Sequence, residues 1–173
     1  RIIAVSQSTK NDIIEIYKAD PSKIEVIYQS CNPLYYTRQG EEESNAIRMA
    51  YDLPEEYVLY VGNIEPRKNL RLIIESYRLL PDCDKVPLVI VGRGRKYSNE
   101  VSACIASAGI GKWVIWLAGI EDHKHLQAIY QRAMCLIYPS LYEGFGLPVA
   151  EALLSKTPVI TSAVSSMPEA GGP

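Results

Sequence analysis

A chain of 173 residues is long enough for one well-buried α/β domain. Hydrophobic residues make up 47% and charged residues 22%, an ordinary globular composition that excludes general disorder. The formal net charge of -2, with no long basic run, argues against nucleic acid or an anionic membrane bound through bulk charge, so a phosphorylated ligand would need a few placed cations and backbone amides.

Ile2 to Ser6 reads as a buried strand, and Ser8 or Thr9 is placed to cap a helix carrying Ile13, Ile14, Ile16 and Tyr17. Asp20-Pro21-Ser22 ends that helix, and Ile24 to Tyr28 is a second strand. Residues 38–44 have no apolar anchor and read as a mobile loop. From Tyr57 onward, strands and helices alternate. Val58–Val61 is a strand, residues 62–69 a loop, and Leu70, Ile73, Ile74, Tyr77 and Leu80 a helical stripe. The apolar strand 87–91 runs into Gly92-Arg93-Gly94 and a helix through Val101, Cys104 and Ile105. Val114–Leu117 is a strand, Leu126, Ile129, Tyr130 and Ala133 lie on a helix, and 158–161 is a last strand. Continuous apolar strands between amphipathic helices predict an α/β fold, a Rossmann-like parallel sheet with helices on both faces. No apolar run approaches the ~18 residues of a membrane span. The four scattered cysteines form no Cys-x-x-Cys pair; Cys104 and Cys135 are expected as buried thiols, and the compartment as cytoplasmic. With no initiator methionine or signal peptide, and an opening inside a strand, the chain is expected to be part of a longer protein.

The chain is organised around Pro139-Ser140-Leu141-Tyr142-Glu143-Gly144-Phe145-Gly146-Leu147-Pro148-Val149-Ala150-Glu151-Ala152, which follows the strand-like run 134–138. Pro148 suits the first helical position, so the Gly-Phe-Gly loop joins a strand end to a helix start. There an α/β sheet places its ligand against free backbone N–H groups. Glu143 falls on the loop and Glu151 about one turn into the helix; the plainer alternative is an ordinary loop whose Glu151 faces solvent. The stretch resembles the donor-binding signature of retaining, nucleotide-sugar-dependent glycosyltransferases of the GT-B fold, the "group 1" family. That pattern is proline-serine, then Glu-Gly-Phe-Gly-(Leu/Ile)-Pro, then a second glutamate followed by alanine. The helix bearing Ser6, Thr9 and Lys10, and the segment 26–33, resemble the family's crossover between acceptor and donor domains, the latter in a divergent version.

The resemblance implies a crossover segment over 1–37, leading from an acceptor domain outside this sequence, and a nucleotide-sugar donor-binding domain over 38–173 that is incomplete at its C-terminus. Arg67 and Lys68 would hold the donor pyrophosphate and neutralise the departing nucleoside diphosphate; a solvated basic turn is the alternative. Many relatives carry arginine directly after the strand glycine, where this chain has Asn63, so Arg67 is the candidate substitute. Gly62 and Gly92 would lie close to the donor, Ile120 and Glu121 near the base, and Glu151 would accept hydrogen bonds from the two ribose hydroxyls. Glu143 would contact the transferred sugar, and the amides of Gly144, Phe145, Gly146 and Leu147 its hydroxyls and the distal phosphate. A hydrolase acid–base pair fits this placement of the two glutamates less well. The implied activity is hexosyl transfer with retention from a nucleoside diphosphate sugar, with no cofactor, to a sugar or lipid-linked acceptor bound through the other domain. The full-length enzyme would associate peripherally with a membrane. Rival readings are a non-catalytic nucleotide-sugar-binding domain of the same fold and a sugar-nucleotide epimerase. His123 and His125 read as surface residues without metal-site spacing. Metal-independent binding is expected: metal-dependent glycosyltransferases typically hold their cation with an Asp-x-Asp pair, and the expectation rests on the chain carrying none, a premise corrected below.

Overall fold

The computed structural model describes residues 1–94 and 96–172; Pro173, the last residue of the expected second unit, lies outside them. The chain opens with β1 (Ile2–Ala4), α1 (Gln7–Tyr17) and β2 (Ile24–Val26), with β1 and β2 paired in a separate two-stranded parallel sheet. The expected buried strand, Ile2 to Ser6, is exposed at its start, where Ile2 and Ile3 are 40% and 64% exposed, and buried at Ala4 and Ser6. Helix α1 starts earlier than expected. Its cap is Ser6, whose Oγ accepts the Thr9 N–H at 3.0 Å, rather than Ser8 or Thr9.

Helix α2 (Glu41–Ala50) replaces most of the expected mobile loop. Gly40 is its N-cap, and Glu41, Glu42 and Glu43 lie in its first turn, where negative charge complements the helix dipole. Tertiary contacts complete it: Ile47 and Ser44 are buried, and Arg132 donates to Ser44 Oγ and Asn45 Oδ1 at 2.6 and 2.7 Å.

The main sheet comprises β3 (Val58–Val61), β4 (Leu88–Val91), β5 (Val114–Leu117), β6 (Cys135–Tyr138) and β7 (Val159–Thr161). All its pairings are parallel, in the order β5-β4-β3-β6-β7. The connecting helices are α3 (Leu70–Leu79), α4 (Lys96–Ser107), α5 (His123–Arg132) and α6 (Leu147–Leu154), and α7 (Met167–Gly171) follows β7. The chain winds outward from β3 to β5, then returns through α5 to place β6 on the other side of β3. That reversal is a topological switch point, where open α/β sheets bind ligands beyond the strand ends. Strands β3 and β6 pair only at Val58–Cys135 and Leu59–Leu136, so their C-terminal halves are free to diverge around the crevice.

Every residue of β4 is at most 4% exposed, as its unbroken apolar run requires. Helix α3 buries Leu70, Ile73, Ile74 and Tyr77, whereas Leu80 lies past the helix end and is 41% exposed. Cys104 and Cys135, expected to be buried, are only half-buried; Cys31 is the buried thiol, and all four cysteines are free. Tyr35, Tyr57, Tyr60, Tyr130 and Tyr138 are fully buried. A buried phenol needs a partner for its hydroxyl. Tyr57 donates to Ile129 O at 2.7 Å and Tyr60 to Asn63 O at 3.2 Å, while Tyr130 and Tyr138 each donate to one of the two motif glutamates.

Candidate functional site

Strands β3 and β6 flank the switch point, and each delivers half of a charged cluster. Strand β3 leads through Gly62 to a tight turn at Pro66–Lys68, and β6 leads through Pro139 and Ser140 to Glu143. The structure brings the three nominated catalytic residues into contact. Lys68 Nζ donates to both Glu143 Oε1 and Tyr138 Oη, and Arg67 Nη1 donates to Glu143 Oε2 at 2.9 Å. Tyr138 and Ser140 hydroxyls donate to Glu143 Oε1 at 2.9 and 2.8 Å, while Arg67 Nε meets Glu65 Oε2 at 2.9 Å. Two cations thus face two carboxylates, and the cluster is neutral before any ligand arrives. Burial alone would raise the Glu143 carboxyl, but Lys68, Ser140 and Arg67 outweigh it and hold the group below the ordinary carboxylate range. Burial lowers the Lys68 ammonium, and Glu143 opposes that shift.

The loop after Glu143 is held from two sides. From the β7–α7 turn, Ser166 Oγ bonds the carbonyls of Glu143 and Phe145 at 2.9 and 3.0 Å, and Ser165 Oγ accepts the Glu143 N–H at 3.2 Å. From α1, Thr9 Oγ1 donates to Gly144 O at 3.1 Å, and Tyr142 donates to Asp12 Oδ2 at 2.7 Å. The Tyr28 and Phe145 rings lie 5.7 Å apart. Glu169 on α7 accepts the Gln7 and Ser8 N–H groups at 2.7 and 2.8 Å, and the Tyr28 hydroxyl at 3.1 Å. Gly146 has φ 108°, and a Cβ there would stand 2.3 Å from Met167 Cε, so only glycine closes this turn without displacing buried methionine. Leu147 takes the first helical position and Pro148 the second. Among the described residues, the N–H groups of Gly144, Phe145, Gly146 and Leu147 meet no acceptor, leaving a row of donors at the start of α6.

Glu151, one turn into α6, accepts the Tyr130 hydroxyl on Oε2 at 3.0 Å. Among the described residues its Oε1 has no hydrogen-bond partner. Burial raises the Glu151 carboxyl above its ordinary range, opposed by Tyr130 and His123. Glu151 is thus half-buried with one oxygen held by Tyr130, rather than simply facing solvent. His123 is exposed and His125 half-buried, yet each ring meets a tyrosine: Tyr35 Oη lies 3.3 Å from His123 Nδ1 and Tyr51 Oη 2.9 Å from His125 Nδ1.

Beyond the ends of β3, β4 and β5, a crevice of about 240 Å³ gathers Gly62, Gly92, Ile120 and Glu121 with Asn63 and Leu126. It is a separate group from the cluster around Glu143, joined to it by the 62–68 loop. A larger cavity of about 610 Å³ opens beside it and shares Asn63 and Arg93, but none of the nominated residues lines it.

Sequence reasoning passed over Tyr138, Ser165, Ser166, Tyr130 and the α1 contacts; only Ser140 had a local signal, as part of the motif. One Asp-x-Asp does occur, at Asp82-Cys83-Asp84, so the sequence alone does not argue metal independence. It precedes β4, at the opposite end of the strand from the crevice, and Lys112 followed by Lys85 pushes Asp82 down to about 2. Among the described residues, no group of three or more His, Cys, Asp or Glu side chains is placed to hold a metal ion, and no helix is long and apolar enough to cross a membrane.

Comparison with known proteins identifies the fold and the family. The chain is 33% identical over 175 residues to O-antigen chain mannosyltransferase B of Escherichia coli, an alignment covering 99% of this chain and 45% of that protein. HepE of Anabaena, solved in complex with UDP and glucose, superimposes with a TM-score of 0.85 at 19% identity, covering 96% of this chain and 45% of that one. The C-terminal domain of the group 1 family protein LpcC of Francisella tularensis superimposes with a TM-score of 0.64 at 23% identity, covering 79% of this chain and 71% of that domain. The fold is thus that of the C-terminal half of a GT-B glycosyltransferase, and the chain spans less than half the length of the curated relatives it matches. The family model for glycosyl transferases group 1 matches residues 43–172. On that match and on the identity to the mannosyltransferase, the chain belongs to the group 1 glycosyl transferase family.

Proposed function

We propose that this chain is the donor-binding domain of a retaining hexosyltransferase that moves a hexosyl group from a nucleoside diphosphate sugar to an acceptor. The observation carrying this reading is the convergence, beyond the ends of the neighbouring strands β3 and β6, of Arg67, Lys68 and Glu143 with the N–H groups of residues 144–147, which have no acceptor among the described residues. A diphosphate docked there meets aligned amides, a helix N-terminus and the half-exposed Arg67 guanidinium, which stabilise the charge that grows on it as the glycosidic bond breaks. No proton donor to the leaving group is then required. Glu151 holds one carboxylate oxygen on Tyr130 and offers the other to a ribose hydroxyl.

Glu143 receives donors from Lys68, Tyr138 and Ser140 on Oε1 and from Arg67 on Oε2. A carboxylate so bonded and so acidified is a poor general acid and a weak nucleophile. This favours a role in holding a sugar hydroxyl through the remaining capacity of Oε2. It supports same-face attack assisted by the leaving phosphate over a covalent intermediate on Glu143. The complexes of HepE with UDP and glucose and with UDP-glucose support nucleotide-sugar binding on this fold, and the O-antigen mannosyltransferase supports a place in polysaccharide assembly. A sugar or lipid-linked acceptor would be bound outside the residues seen here, in a longer protein that works at the cytoplasmic membrane surface.

A non-catalytic donor-binding domain would keep the same contacts, so binding alone tests the site and turnover by the longer protein tests the enzyme. Titration calorimetry of this chain with nucleoside diphosphates and their sugar conjugates should show binding weakened about tenfold by Arg67→Ala, the loss expected for one charge-assisted hydrogen bond. Absence of binding by every nucleoside diphosphate overturns the proposal.

A further inference from the structure

Tyr138 closes β6 with its hydroxyl inside the charged cluster, and the phosphate and ribose contacts give that hydroxyl no task. The residue is fully buried and held from three sides. Thr161 Oγ1 donates to its carbonyl at 2.9 Å, its ring lies 6.0 Å from that of Tyr60 at an interplanar angle of 26°, and its Oη donates to Glu143 Oε1 at 2.9 Å. The same Oη accepts a hydrogen from Lys68 Nζ, which gives a second one to Glu143 Oε1. An ammonium carries three hydrogens, and among the described residues the third has no acceptor. Fixing two hydrogens of a tetrahedral group fixes the third. Gly62 lies beside this arrangement: a Cβ there would stand 3.5 Å from Tyr138 Cε2 and 3.6 Å from its Oη.

Resting on the donor-binding reading, we infer that Tyr138 is a positioning residue for the donor diphosphate: its hydroxyl holds the Lys68 ammonium partly off the Glu143 carboxylate and aims the third hydrogen at the ligand. A buried ammonium whose only partner is a carboxylate is drawn wholly onto it, and a phosphate must then compete for every hydrogen. Here one hydrogen goes to Tyr138 instead, and the phenol's own proton occupies part of Glu143 Oε1. These roles do not reverse. Burial, followed by Glu143, raises the Tyr138 phenol far above its ordinary range, so it keeps its proton wherever Lys68 is charged. The Lys68 ammonium faces the Glu143 and Glu65 carboxylates and the Arg67 guanidinium, and Tyr60 lies behind Tyr138. Burial pulls that ammonium down, so each acceptor of its hydrogens helps to keep it charged. Tyr138 supplies such an acceptor without a negative charge. A second carboxylate in its place would also hold the cation, but it would repel the diphosphate.

Titration calorimetry of the 173-residue chain with UDP, GDP and ADP, and with uridine, guanosine and adenosine, tests the assignment. Tyr138→Phe keeps the ring and its packing on Tyr60. It should weaken whichever diphosphates bind by about tenfold at about pH 7.5, the loss expected when a charged group gives up one hydrogen bond, and leave the nucleosides within about twofold. With one acceptor gone, the Lys68 ammonium moves further down, so the diphosphate deficit should widen between about pH 7.5 and 9.5. Tyr57→Phe, which removes a buried bond to Ile129 O away from the cluster, should leave affinities and pH dependence as in the wild type. In a Lys68→Met background, Tyr138→Phe should weaken diphosphate binding no further, because its effect runs through the ammonium. In the unaltered protein, the nitrogen NMR resonance of Lys68 Nζ should shift when a diphosphate binds and stay in place with the nucleoside. A deficit independent of pH, equal losses for nucleoside and diphosphate, an undiminished loss in the Lys68→Met background, or an Nζ resonance blind to diphosphate overturns the inference. In each case the donor-binding reading stands. No binding by any of the three diphosphates overturns both.

Discussion

Replacing Lys68 by methionine removes one ammonium while keeping an unbranched chain. The Lys68 and Glu143 side chains are 9% and 8% exposed, so the change leaves a buried carboxylate with a single cation, Arg67. Removing one partner of a buried pair costs about 3–5 kcal/mol. Arg67, Tyr138 and Ser140 still bond Glu143, which places this variant at the low end, about 3 kcal/mol. With a urea slope of about 2 kcal/mol/M, the unfolding midpoint should fall by about 1.5 M at pH 7.5. The pH dependence has a definite sign. In the wild type the depressed Glu143 carboxyl contributes stability that is present above its unfolded pKa and is lost as pH falls through the folded value. Without Lys68, the largest influence opposing burial is gone, and the carboxyl moves up. The variant then takes up its proton earlier, and its deficit should shrink between about pH 7.5 and pH 5. In a Glu143→Gln background, no buried anion is stranded, so the same substitution should cost about 1 kcal/mol or less. Urea melts of the four proteins at both pH values complete the cycle. A midpoint shift under about 0.5 M at pH 7.5, a shift independent of pH, or additive losses would refute the reasoning.

Glu151→Gln should act in the opposite sense on stability. A raised carboxyl contributes stability fully present below its unfolded pKa and lost as pH rises through the folded value, so at pH 7.5 the ionised group is a cost that glutamine removes. Its urea midpoint should rise at pH 7.5, with the gain vanishing near pH 4, while nucleoside binding falls about tenfold; a destabilised variant at pH 7.5 would count against the assigned burial. Gly146→Ala should cost about 2 kcal/mol, because its Cβ would meet Met167 at 2.3 Å. That variant should weaken diphosphate binding more than nucleoside binding, since the disturbed turn aims the amides of residues 144–147. Nucleoside diphosphate affinity should be equal in excess chelator and in magnesium, and a large loss on chelation would show that a cation takes part.

From Tyr57 onward the strands and helices are legible in sequence because their apolar residues recur at one clear period. The helix α2 is not, because it buries little more than Ser44 and Ile47 and depends on Arg132, which is distant in sequence. The start of α1 was misplaced for a local reason: Ser6, Ser8 and Thr9 are equally good caps as residue types, and only the backbone decides among them. In the site, the glycine loop and its glutamates were visible as a contiguous motif, and so was the basic turn at Arg67-Lys68. Their pairing was not visible, since Lys68 and Glu143 are 75 residues apart and meet only because the strand order puts β6 beside β3. Tyr130 and Tyr138 read as ordinary apolar positions, and nothing in the linear pattern reveals which buried hydroxyl will reach a carboxylate. Asp82-Cys83-Asp84 shows the converse, a motif whose meaning depends on which end of a strand carries it.

The grip of α1 on the glycine loop has a consequence for how the protein acquires its shape. The contacts joining Gln7 to Glu169, Thr9 to Gly144 and Asp12 to Tyr142 span 162, 135 and 130 residues, so the chain must close on itself almost end to end to make them. Closures of that length are entropically demanding and tend to come late, after strand pairs with nearer neighbours have formed. The region recognisable as the family begins at residue 43, yet all three α1 residues lie before it. A fragment trimmed to that region would keep every strand of the main sheet and both partners of the Lys68–Glu143 pair. It would also lose the outer wall of the loop, leaving Phe145 without Tyr28 beside it and Tyr142 without its acceptor. Such a fragment would present a slack binding edge and also lose Tyr35, which is fully buried against Tyr130, so the place to cut this chain for study is set by contacts made before residue 43 rather than by the first strand of the sheet.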